Sequence, residues 1–235
     1  MKTIRKMTVI WVVGLSLGVT LNLTGCTKSE EMNQEALSQS NKDSYNYTET
    51  EKDLLNVIDS MPLQDLSEAE KAALMVMREE EYLAHDVYDL LGKMYSRRVF
   101  LNITKSEDRH TDAVKALIEK YGLTDPALNH VQGVFNNAEL QSLYNNLIAK
   151  GSESLLQALV VGATIEDVDI YDLEKHLGIT DNEDIKMVFQ NLMRGSRNHL
   201  RAFYRNILSE GGSYTPQYIS VDLFNEIINS EHERN

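Results

Sequence analysis

In the stretch TKSEDRHTDAV, residues 104 to 114, Glu107 and His110 stand three positions apart. On a helix that spacing points a carboxylate and an imidazole the same way. Turned outward, the pair is solvated and does nothing. Turned inward it needs a partner, and the partners that suit hard oxygen and imidazole nitrogen together are iron, manganese or zinc. The direction is set by the surrounding apolar residues. Ile103, Glu107, His110, Val114, Leu117 and Tyr121 advance alternately by four and by three, the rhythm of one inward stripe. Three other segments repeat it. Leu74, Met77, Glu81, Ala84, Tyr88 and Leu91 form one stripe, Leu159, Ala163, Glu166, Ile170, Leu173 and Leu177 another. The last is Ile185, Phe189, Leu192, Ser196, His199 and Phe203. Each apolar seam has a polar interruption near its middle.

Those seams need helices to carry them, and the punctuation is legible. Ser67 and Glu70 form a capping box that opens a helix over about 68–94. A second runs from about 98 to Tyr121, stopped by Gly122 and Pro126. Residues 122–151 make a long crossover with one short helix after the cap Asn137. Ser152 is read as the cap of a helix reaching Gly178. A box from Thr180 to Glu183 opens the next, which ends at Gly211, and a short helix follows Ser220. No segment alternates with period two, so the fold class is all-α, a four-helix bundle with a long crossover. At about 1.5 Å of rise per residue, Glu81, Glu107 to His110, Glu166 and Ser196 to His199 all lie roughly 20 Å from their own hairpin turns. If the crossover returns along the bundle, all of them meet at its middle.

Burying such charges costs several kcal/mol each, against a total stability of about 5 to 15 kcal/mol, so something must offset them. A divalent cation does so. The alternative is a metal-free polar core in which Arg78, Arg109, Arg194 or Arg197 pairs with the glutamates. His85, four after Glu81, borders its stripe and is read as an edge hydrogen-bond partner rather than a ligand. Asp169, three after Glu166, is able to face inward beside it. His130, His176 and His232 are expected to be solvated, and Met75 and Met77 to fill core.

The rest of the chain bounds where this happens. Lys2, Arg5 and Lys6 precede the apolar run MTVIWVVGLSLGVTLNL, which ends in LTGC. This reads as a lipoprotein signal peptide over 1–25, with lipidation at Cys26, the single cysteine of the chain. Residues 26–52 read as a flexible polar tether and 53–235 as the folded domain. With no thiol downstream, disulfides, thiolate metal sites and a cysteine nucleophile are excluded from the domain. A net charge of −13, deepened by removal of three basic residues with the signal, argues against nucleic acid as a partner. The membrane is then reached through the lipid on Cys26, in the extracytoplasmic cell envelope.

The layout resembles the ferritin-like di-iron carboxylate superfamily. The stretches MREEEYLAHDVYDLL, NITKSEDRHTDAVKALIEKYGLTDP, GATIEDVDIYDLE and NLMRGSRNHLRAF are similar to a prokaryotic ferritin-like family labelled a domain of unknown function, over roughly residues 53–229. The resemblance implies ligand roles for Glu81, Glu107, His110, Glu166 and His199, and an iron centre with one or two ions. It implies redox chemistry on peroxide, dioxygen or ferrous iron, an external electron donor, and room for a homodimer. One position departs: Ser196 stands where the superfamily has the glutamate of a second Glu-x-x-His. Asp169 is the carboxylate best placed to compensate. The competing expectation is a non-catalytic metal-binding or protein-interaction module of the envelope.

Overall fold

The computed structural model describes residues 49–234, with side chains described from residue 54 onward. The signal peptide, Cys26 and nearly all of the tether lie outside the described residues. Among the described residues there are seven helices: α1 (Glu49–Ser60), α2 (Glu68–Tyr95), α3 (Arg98–Lys120), α4 (Ala138–Gly151), α5 (Leu155–Ile179), α6 (Glu183–Ser209) and α7 (Val221–Asn229). There is no strand among the described residues, only an isolated bridge between Val131 and Val134 in the crossover. The all-α bundle is as expected. The helix α1 is an addition, and it starts four residues before the boundary placed at 53.

Most ends are where the capping chemistry puts them. Ser67 Oγ accepts from the Glu70 amide at 3.2 Å while Glu70 Oε2 accepts from the Ser67 amide at 3.0 Å, the reciprocal box. Glu70 Oε1 also accepts from the amides of Asp181 and Asn182, so the box that starts α2 also holds the turn between α5 and α6. Gly122, at φ +62, closes α3 in a left-handed conformation that a side chain would strain. Two expected caps are corrected. Ser154, not Ser152, caps α5 by accepting from the Gln157 amide, whereas Ser152 Oγ bonds back to the Ile148 carbonyl in the last turn of α4. Asn182, not Thr180, precedes α6, and Thr180 Oγ1 instead donates to the His176 carbonyl. In both cases a hydroxyl near a helix end serves a carbonyl in the last turn of the preceding helix rather than the next helix's amides.

The long helices form a ring in which α2 packs on α3 and α5, and α6 on α5 and α3, leaving α2/α6 and α3/α5 as diagonals. The turn after α2 lies by the start of α5, where Tyr95 Oη donates to the Gly151 carbonyl at 2.9 Å. The turn after α5 lies by the end of α3, where Lys120 Nζ pairs with Asp184 at 2.6 Å. The two hairpins therefore turn at opposite ends, and their mid-points face each other. The crossover helix α4 packs on α2 and α5 and covers that side. On α3, α1 adds Ile58 to a core of Leu74, Met77, Leu117, Phe189 and Leu192.

Candidate metal centre

All four seams face inward. Glu81, Glu107, Glu166 and Ser196 are each at most 1 % exposed, His110 and His199 at most 9 %. Two groups of three converge within ligand distance of one another: Glu81, Glu107 and His110, and Glu107, Glu166 and His199. Glu107 is common to both. Its Oε2 lies 2.8 Å from His110 Nδ1 and its Oε1 lies 2.9 Å from His199 Nδ1. Glu81 Oε2 closes the first group at 3.1 Å from His110 Nδ1, and Glu166 Oε2 the second at 3.5 Å from His199 Nδ1. The two imidazoles stack, 5.5 Å between centroids and 28° apart.

His110 Nδ1 and Glu81 Oε2 are hydrogen-bonded, but other buried atoms of the cluster are not satisfied in this way. Glu107 Oε1 and His199 Nδ1 approach to 2.9 Å, yet neither has a hydrogen-bond partner, because the contact is misaligned. Glu81 Oε1 and Glu166 Oε2 are also buried without one. Orphaned buried polar atoms cost about 1–3 kcal/mol each, so a cluster of four calls for a cause. Ligands about 2.1 Å from one ion and at right angles sit about 3 Å apart, which is the spacing seen. Each group of three could hold a metal ion, with Glu107 offering one oxygen to each.

The electrostatics describe the same competition. Burial pushes Glu81 up to about 7, with His110 opposing. Burial also raises Glu166, against the pull of His199. Burial works on Glu107 too, but the imidazoles of His110 and His199 outweigh it and hold this carboxyl well below the usual range. His199 is depressed by burial and lifted more by Glu107 and Glu166, reaching about 9. Without a metal, protons hold these charges together.

The remaining expected residues divide. Asp169 is buried at 4 % exposure and its carboxyl is raised well above the usual range, first by burial and then by Glu81 and Glu166. It borders the centre but belongs to neither group of three. Ser196 Oγ turns back to the Leu192 carbonyl at 3.2 Å. His85 is the edge partner expected, bonded to Asp86 at 3.0 Å and paired with Asp108 at 3.2 Å. His130 is not solvated: its Nε2 meets Asp86 Oδ2 at 2.8 Å and its ring stacks on Tyr82, fastening the crossover to α2. His176 is also part-buried, its Nδ1 enclosed without a partner. Arg78 pairs with Asp125 and Arg197 with Glu233, so neither neutralises the glutamates.

Three further features surround the centre, and the polar roles of Tyr88 and Glu80 were missed. Tyr88, read as filler in its stripe, donates its hydroxyl to Glu166 Oε1 at 2.6 Å. Its place seven residues after Glu81 on the same seam was the available signal. Gly195 lies against His110: a β-carbon there would sit 2.5 Å from Nε2. Glu80, off the stripe, is half-buried with an enclosed Oε2, and burial followed by Asp172 raises it to about 8.

Residues 70–231 match the family model described as "Uncharacterized protein domain (DUF2202)". The chain belongs to this family. It is 54% identical over 181 residues to "Uncharacterized protein MJ0754" of Methanocaldococcus jannaschii, a match spanning 77% of this chain and 98% of that protein. The fold is similar to the crystal structure of hypothetical protein MJ0754 from Methanococcus jannaschii, with a TM-score of 0.73 at 54% identity, over 74% of this chain and 99% of that one. The DUF2202 match takes in every residue of the centre, and the segment before α1 lies outside it.

Proposed function

We propose that this DUF2202 protein is a ferritin-like metalloprotein holding two transition-metal ions, iron foremost, for redox chemistry on peroxide, dioxygen or ferrous iron. The observation that supports it is Glu107, whose two carboxylate oxygens each face a different histidine, with Glu81 and Glu166 completing one group each. Glu81, Glu107 and His110 would hold the first ion and Glu107, Glu166 and His199 the second, and Asp169 would supply one of them with the carboxylate that Ser196 cannot. Iron bound there supplies one-electron oxidation and reduction at neutral pH. The chain's own part is to orient the ligands and to surround them with apolar seams. Tyr88 keeps Glu166 Oε1 engaged so that Oε2 faces His199, and the apolar seam residues along the helices on either side of the ligands are buried. With no cysteine in the domain, electrons come from a separate donor.

The segment ahead of the domain supports an envelope location. Lys2, Arg5 and Lys6, the apolar run and the LTGC ending at Cys26 make a lipidated, membrane-anchored form the best reading of that segment. Mass spectrometry of the membrane fraction tests it, an unmodified Cys26 counting against it.

Cobalt(II) titration of the purified chain tests the centre. Two equivalents with ligand-field bands, lost in Glu107→Ala, are expected. A chain that takes up no metal and gains no thermal stability from iron, manganese, zinc or cobalt overturns the proposal.

A further inference from the structure

The ring of helices is covered unequally. On the α2/α5 side α4 lies across the bundle, whereas between α3 and α6 a cavity of about 710 Å³ reaches the centre, with both His110 and His199 in its wall. Dioxygen or peroxide needs on the order of 30–60 Å³, the space of one or two waters. Sites for organic molecules run from about 300 to 1,000 Å³.

The lining has a definite chemistry. Ile103, Leu192, Ala202, Leu54 and Leu55 offer apolar surface, and Asn102, Asn191 and Asn198 offer amides. Arg109, Arg194, Arg205 and Arg234 share the wall with two acidic residues, Asp112 and Glu233. Glu233 is already neutralised, its Oε1 accepting from Arg197 Nε at 2.8 Å and from Arg201 Nη2 at 2.7 Å. Arg205 and Arg234 have no hydrogen-bond or ion-pair partner among the described residues. A cationic wall stands out on a chain of net charge −13, whose overall field would otherwise repel anions. Guanidinium groups bind carboxylate or phosphate through paired N–H donors.

We propose that this chamber binds a small organic anion, an oxyanion head with an apolar body, against the histidine edge of the metal centre. The inference rests on the reading of that centre and names its substrate class. Arg205 and Arg234 hold the head, and the apolar residues of α1, α3 and α6 hold the body.

The full chain, both metal-free and loaded with cobalt(II), is titrated with benzoate, with phenyl phosphate and with neutral benzamide. Calorimetry reads binding and the cobalt bands read proximity to the centre. At least one anion is expected to bind below about 10 mM and to shift the bands, with benzamide far weaker. Which anion binds tells a carboxylate from a phosphate head. The double variant R205Q and R234Q is expected to weaken that binding at least fivefold, each variant being compared with its own anion-free spectrum. The proposal is overturned if no anion binds, if benzamide binds as well, if the double variant binds like the parent, or if binding leaves the cobalt bands unmoved. Failure to take up cobalt counts against the metal centre instead, because anion binding is also read on the metal-free chain.

Discussion

Tyr88 on α2 donates its hydroxyl to Glu166 on α5 across 2.6 Å, inside the bundle and with both side chains out of solvent. One oxygen of Glu166 is thereby occupied and the other is left facing His199. Tyr88→Phe keeps the ring among Phe100 and Phe203 but orphans Glu166 Oε1. The metal-free domain is expected to lose about 1–3 kcal/mol in denaturant unfolding. Metal affinity at the His199 side is expected to fall about tenfold in a competition titration.

Gly195 is set by space rather than by backbone conformation. Gly195→Ala puts a methyl 2.5 Å from His110 Nε2 and 2.6 Å from Cε1, inside contact distance, so the ring must move. Overpacking of this kind costs about 1–3 kcal/mol. The expected signature is selective: cobalt binding weakened about 10- to 100-fold with the helical circular dichroism retained.

The metal-free protein is expected to lose stability as pH rises. Glu81 goes from 4.5 to about 7 on folding and His199 from 6.5 to about 9. Over about pH 4.5 to 9 the folded state therefore binds more protons than the unfolded one, and ∂ΔG/∂pH of unfolding is negative. His85, raised to about 10 by Asp108 and Asp86 against its burial, acts in the same direction. Glu107 acts oppositely, its share being lost as pH falls through the acid range. Thermal melts of the chelated protein from pH 5 to 9 check this. Metal saturation should reverse the slope, because ions displace these protons.

Asp169 tests whether the centre draws on a carboxylate outside its two groups of three. Its carboxyl, raised well above the usual range first by burial, feels the charges of both Glu81 and Glu166. Asp169→Asn is expected to lower cobalt stoichiometry from about two to about one per chain, and Ser196→Glu to restore it. Unchanged stoichiometry in Asp169→Asn would show that the six ligand atoms of the two groups suffice.

Periodicity alone carried the seams, since whatever stands at an inward heptad position of a buried helix must be buried. That is why Glu81, Glu107, His110, Glu166 and His199 were legible before any contact was known. Fold class, the opposed hairpins and most helix ends followed from the same one-dimensional signals, rhythm and capping residues. Ser152 and Thr180 escaped because a hydroxyl near a helix end has two backbones to choose from, and the choice depends on which backbone group lies closer in space.

What the sequence by itself determined is thus the inward set and its level along the bundle, properties of single helices that repeat every 3.6 residues. Only the tertiary structure decided how side chains from different helices meet. It gave Glu107 an oxygen for each histidine, turned Tyr88 onto Glu166 and left Asp169 beside the two groups. It drew His130 onto Asp86, covered the α2/α5 side with α4 and left the α3/α6 side open over His110 and His199. The reason is geometric. A seam position fixes the direction of a side chain to within a helix face, whereas a ligand contact depends on interaxial distance and rotation, which the packing of all four helices sets together.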